Sequence, residues 1–134
     1  MKKRVTGRIF PRHSMARILI VEDDPGMRGF LEESLTAAGH EVHTTVNGKE
    51  GVALFLFQPA DLIITDLLMP EQDGLETVQQ LRIHDPALKV VAISGAPTDW
   101  KVLEMAGKLG ANKTLHKPFT TREMRDAVEA CLQE

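Results

Sequence analysis

The side chains in this sequence with the chemistry of a reactive site are the acids Asp23, Asp24 and Asp66, the hydroxyl of Ser94 and the ammonium of Lys117. Carboxylates gathered at one place repel one another. A hard divalent cation with oxygen ligands relieves that repulsion and leaves positions for water and phosphate, and magnesium is the expected ion. A carboxylate held beside such an ion is able to attack a phosphoryl donor and form an aspartyl phosphate. Asp66 is the expected nucleophile, because it directly follows Leu62-Ile63-Ile64-Thr65, an apolar run that would fix its backbone. Lys117 would bring its charge to the phosphoryl oxygens and Ser94 would hydrogen-bond one of them. Gly95 and Ala96, next in the chain, are small enough to permit close approach.

These residues meet only if the fold brings them together. From Met15 onward, short apolar runs alternate with amphipathic stretches, the pattern of a parallel sheet covered by helices. Strands are expected at Arg17 to Val21, Val42 to Val46, Leu62 to Thr65, Val90 to Ile93 and Lys113 to His116. Met27, Phe30, Leu31, Leu35 and Ala38 mark a first helix, with Gly39 placed for a left-handed cap. Asn47-Gly48 reads as a turn, and Val52, Phe55 and Leu56 mark a second helix that ends before Pro59. Leu75, Val78 and Leu81 mark a third, after a turn at Asp73-Gly74. Asp99 would cap a fourth carrying Val102, Leu103 and Ala106 and ending near Gly110, with Trp100 read as a packing residue. The last opens on Thr120 and Glu123 in capping-box spacing and carries Met124, Ala127, Val128 and Cys131.

Right-handed crossovers between sequential parallel strands lead to an α/β fold, a doubly wound five-stranded sheet of flavodoxin-like order 2-1-3-4-5 with helices on both faces. Such sheets bind ligands beyond the carboxyl ends of their strands. Asp23-Asp24, Asp66, Ser94 and Lys117 all fall there.

Composition narrows the function. The 134 residues suffice for one domain, expected over 15–134. Five of the sixteen basic residues lie in the first fourteen, which hold no acid, so the remainder carries a formal charge of −8. That balance disfavours nucleic-acid binding by the domain, while residues 1–14 read as a disordered basic extension or as residues ahead of a start at Met15. No apolar run is long enough for a membrane span. A single cysteine, Cys131, excludes an internal disulfide and fits a cytoplasmic location. His40 and His43 have poor metal-ligand spacing and read as turn and strand residues.

Asp23-Asp24, Asp66, Met69-Pro70-x-x-Asp73-Gly74, Ser94 and Lys117-Pro118-Phe119, each at the carboxyl end of an expected strand, resemble the response-regulator receiver family of two-component signalling. The resemblance spans Met15 to Glu134. It implies magnesium held by Asp23 or Asp24 with Asp66 and the backbone carbonyl of Leu68, and phosphoryl transfer to Asp66 from the phosphohistidine of a histidine kinase. It also implies a cis Lys117-Pro118 peptide and a Ser94 that draws toward the phosphate as the face around strand five and the last helix rearranges. Many receivers carry an aromatic residue three positions before the lysine; Thr114 stands there, which places the usual aromatic swing in doubt.

The leading expectation is a signalling phosphoacceptor rather than a turnover enzyme, acting through changed affinity for an unidentified output protein or through a phosphorylation-dependent dimer. A relay passing the group to a histidine phosphotransfer protein is the alternative, and a receiver detached from a transcription factor a third. A magnesium-dependent phosphohydrolase would carry an acid where Leu68 stands. A flavodoxin-like electron carrier would need a phosphate loop where Glu22-Asp23-Asp24-Pro25 stands. Apolar Leu68 is also expected to hinder attacking water and prolong the phosphorylated state.

Overall fold

The computed structural model describes residues 15–67, 74–95, 104, 107 and 110–134. In chain order they form β1 (Arg17–Val21), α1 (Pro25–Ala37), β2 (Glu41–Thr45), α2 (Gly48–Phe57), β3 (Leu62–Asp66), α3 (Gly74–His84), β4 (Lys89–Ser94), β5 (Lys113–His116) and α4 (Thr121–Gln133). The basic extension, the Leu68 to Asp73 loop, Ala96, Trp100 and, but for Glu104, Gly107 and Gly110, the helix expected from Asp99 lie outside the described residues.

All strand pairings are parallel, in the order β2-β1-β3-β4-β5. Strand alternation divides the core in two. Ile18, Ile20, Leu62, Ile64, Val91 and Ile93 face one way and meet Leu31 and Leu35 of α1 with Met124, Val128 and Cys131 of α4. Leu19, Val21, Ile63 and Val90 face the other way, against Val52 and Phe55 of α2 and Val78 and Leu81 of α3. Because both faces are covered, the runs Ile18 to Val21 of β1, Leu62 to Ile64 of β3 and Val90 to Ile93 of β4 are continuously apolar, and each large side chain among them contributes roughly 1.5–3 kcal/mol on burial. Cys131 lies in this core, and burial pushes its thiol up to about 12, so it is an inert packing group.

Local chemistry sets the element ends. Asp24 caps α1 by accepting the Met27 N–H at 2.7 Å, with Pro25 in the first turn. Gly39, at φ +97°, closes α1 as expected: its N–H reaches the Thr36 carbonyl at 3.0 Å and that of His40 reaches Leu35 at 3.1 Å. Thr120 and Glu123 form the expected capping box of α4. Asn47-Gly48 turns the chain from β2 into α2. The Asn47 side chain accepts the Glu50 N–H at 2.9 Å and caps α2, which a parallel crossover requires where a hairpin would use a tight turn. Leu56 is 52% exposed, since the buried face of α2 is centred on Gly51, Val52 and Phe55. Residues Glu41 to Thr44 of β2 are half-buried, because that strand forms an edge of the sheet.

Candidate functional site

Beyond the carboxyl ends of β1, β3 and β5, one ammonium bridges two acids. Lys117 Nζ lies 2.8 Å from Asp66 Oδ2 and 3.1 Å from Glu22 Oε1. Glu22 is fully buried and Asp66 is 6% exposed. The other oxygen of Glu22 accepts the Asp24 N–H at 3.1 Å. Carboxylate oxygens from Glu22, Asp23 and Asp66 all lie within 4.8 Å of one another, with Asp23 on the solvent side. Burial, reinforced by the charge of Asp66, pushes the Glu22 carboxyl up to about 7 against the bond from Asp24 and the pull of Lys117. Burial acts to lower the Lys117 ammonium, but bonds and charges from Asp66 and Glu22 outweigh it and the net shift is upward.

The structure therefore brings together Asp23, Asp66 and Lys117 as anticipated, and adds Glu22. Asp24 stands apart from this group because its carboxylate is committed to the α1 N-cap. The acid pair is displaced one residue toward the strand from Asp23-Asp24. Register explains why. Ile18 pairs with Leu62 and Ile20 with Ile64, so one strand period further on Glu22 falls opposite Asp66. Parity along the Arg17–Val21 run was the available signal, since Glu22 continues the row of Ile18 and Ile20.

Ser94 ends β4 opposite His116 and is fully buried, and its carbonyl accepts the Lys117 N–H at 2.7 Å. Gly95 makes room for the lysine, since a Cβ there would come within 2.9 Å of Lys117 Cδ. Gly74 does the same behind Asp66: a Cβ on it would overlap the Asp66 carbonyl oxygen. The Lys117-Pro118 peptide is cis, and Phe119 packs on Phe30 with ring centroids 6.2 Å apart. Thr114 is exposed and pairs with Ala92. His40 and His43 sit away from the acids, His40 after the α1 cap and His43 in β2 bonded to Glu41 at 2.8 Å. The backbone carbonyl of Leu68 lies outside the described residues.

The response regulator receiver domain family matches the chain over residues 18–129. The chain belongs to that family. Among relatives of this receiver domain, CpdR, a response regulator receiver protein of Brucella abortus, is 35% identical over 88% of the chain and 98% of its own length. A Rhizobium etli protein described as "Probable chemotaxis protein CheY" is 35% identical over 85% of the chain and 90% of its own. The crystal structure of the Thermotoga maritima response regulator TrrA in complex with Mg(2+)-BeF superposes with a TM-score of 0.78 at 29% identity, covering 87% of this receiver and 98% of that chain. The order 2-1-3-4-5 expected of the sheet is the receiver order. Among the described residues no helix is long and apolar enough to cross a membrane.

Proposed function

We propose that this receiver takes a phosphoryl group onto Asp66 from the phosphohistidine of a histidine kinase, with Mg2+ held by Glu22, Asp23 and Asp66. The observation that carries the reading is the bridge of Lys117 between buried Glu22 and Asp66 at the strand ends. Hard oxygen ligands on three sides, one of them open to solvent, suit a small divalent cation that keeps part of its water. The Mg2+ and BeF of the TrrA complex, carried over to this chain, support the same assignment. When bound, the cation offsets the acids' repulsion and stabilises charge on the transferring group.

In the transfer, an Asp66 carboxylate oxygen forms the new bond to phosphorus. The bond from phosphorus to the donor imidazole nitrogen breaks, and its electron pair stays on that nitrogen. Lys117, already 2.8 Å from the carboxylate, pairs with a phosphoryl oxygen as the charge moves outward. Ser94, at the adjoining strand end, hydrogen-bonds another and links the modification to β4 and β5. The protein is then a cytoplasmic signalling phosphoacceptor that acts through altered binding to an output protein, rather than a turnover enzyme.

Incubation with Mg2+ and acetyl phosphate should add one phosphoryl group by intact-mass spectrometry, and Asp66→Asn should abolish it. Equal uptake in the variant would remove Asp66 from the role.

A further inference from the structure

Arg28, in the first turn of α1, reaches back over the loop that follows β1. Its Nη1 donates to the Glu22 carbonyl at 3.0 Å and lies 3.4 Å from the Asp23 carbonyl, while its own N–H donates to the Asp24 carbonyl at 2.9 Å. One arginine therefore touches three successive carbonyls of the acidic loop. The side chains of Glu22 and Asp24 are held by other bonds: Glu22 by Lys117 and the Asp24 N–H, Asp24 by the Met27 N–H. Asp23 has an exposed carboxylate, and the peptide planes on either side of it are those whose carbonyls Arg28 engages.

We infer that Arg28 is a positioning residue for the cation site: its guanidinium fixes the backbone at Glu22 and Asp23 and so aims the Asp23 carboxylate at Asp66. This rests on the proposed Mg2+ site and adds to it a residue that touches neither the ion nor the phosphoryl group.

Charge and geometry make opposite predictions here. A guanidinium near a cation site repels the ion, so if its charge alone mattered, removing it would tighten Mg2+ binding and a lysine would substitute for it. If the Nη1 contacts hold the loop, losing them weakens binding whether or not the charge remains, because a lysine ends in a shorter, non-planar head that does not place a donor where Nη1 sits between the two carbonyls. Partners outside the ligand set typically carry tenfold or more in metal affinity, and a contact to backbone rather than to the carboxylates belongs at the low end.

The test is Mg2+ titration of the full chain by isothermal calorimetry, without phosphodonor, for wild type, Arg28→Lys and Arg28→Met, with thermal midpoints recorded alongside. Both variants should bind roughly tenfold more weakly. Arg28→Met binding as tightly as wild type or tighter, or Arg28→Lys matching wild type, overturns the inference. If Arg28→Met unfolds at the assay temperature, the lysine variant decides alone. Wild type failing to bind Mg2+ would overturn the site itself, a result distinct from variants that match a wild type which binds.

Discussion

At the carboxyl end of the sheet one ammonium faces two buried carboxylates with a third acid beside them; at the amino end, polar side chains face backbone N–H groups at the strand starts. His40 Nδ1 accepts the Ala16 N–H at 3.1 Å, Asp61 accepts the Arg17 N–H at 2.8 Å, and Asn112 Oδ1 accepts the Val90 N–H at 2.8 Å. Asn112 Oδ1 also takes a bond from Arg82 Nη2 at 3.0 Å, and Asn112 Nδ2 donates to Glu134 at 2.9 Å. These contacts tie α3, β4 and the end of α4 into one clasp. The strand-start N–H groups named here each meet a side-chain acceptor, with the buried Arg82 Nε left without a hydrogen-bond partner among the described residues, whereas the carboxyl end holds an excess of negative charge that a bound cation would offset. One end serves stability, and the other trades some of it for chemistry.

The largest test of this contrast is Glu22→Gln without metal. The folded carboxyl sits near 7, above its ordinary 4.5, so its favourable contribution is complete below about 4.5 and is lost as pH rises through about 7. The neutral amide should stabilise the protein by on the order of 2 kcal/mol at pH 8 and by roughly a quarter of that at pH 5, read from urea denaturation. An equal gain at both pH values would assign the effect to packing and break the comparison.

Asn112→Ala addresses the other end. Losing the acceptor of the Val90 and Arg82 bonds should cost about 1–2 kcal/mol, equally with and without Mg2+. Phosphorylation of the folded protein should keep its wild-type rate. A rate that drops while stability holds would show the two ends to be coupled.

The smallest effect belongs to His40, whose ionisation is pushed below its ordinary 6.5 by burial, with Arg125 acting the same way and Glu129 opposing. Protonation would set a donor against the Ala16 N–H. The contribution of His40 is thus intact above 6.5 and is lost as pH falls below it, the reverse of Glu22. Wild type should lose up to about 1 kcal/mol between pH 7.5 and 5 that His40→Gln does not lose. Identical slopes in the two proteins would sink this assignment.

The architecture was legible because the physics that sets it is local. Continuous apolar runs announce strands buried on both faces, and the Gly39 and Thr120 caps mark helix ends by their own bonding. Residues that do their work through distant partners were harder to read. Glu22-Asp23-Asp24 shows in the sequence as an acidic run, without marking which member continues the inward parity of its strand. Asn47-Gly48 reads as a turn, and its added role as the cap of α2 depends on the Glu50 N–H that the helix brings to it. The clasp at Asn112 joins residues from Arg82 to Glu134, and no short-range pattern could reveal it.

Gly74 has one further consequence. Its backbone abuts the Asp66 carbonyl so closely that even a methyl group would overlap it. Tolerance to sequence drift around the acceptor is therefore narrow even at a residue with no functional group, and a search for variants that retune this receiver has to leave this empty position as it is.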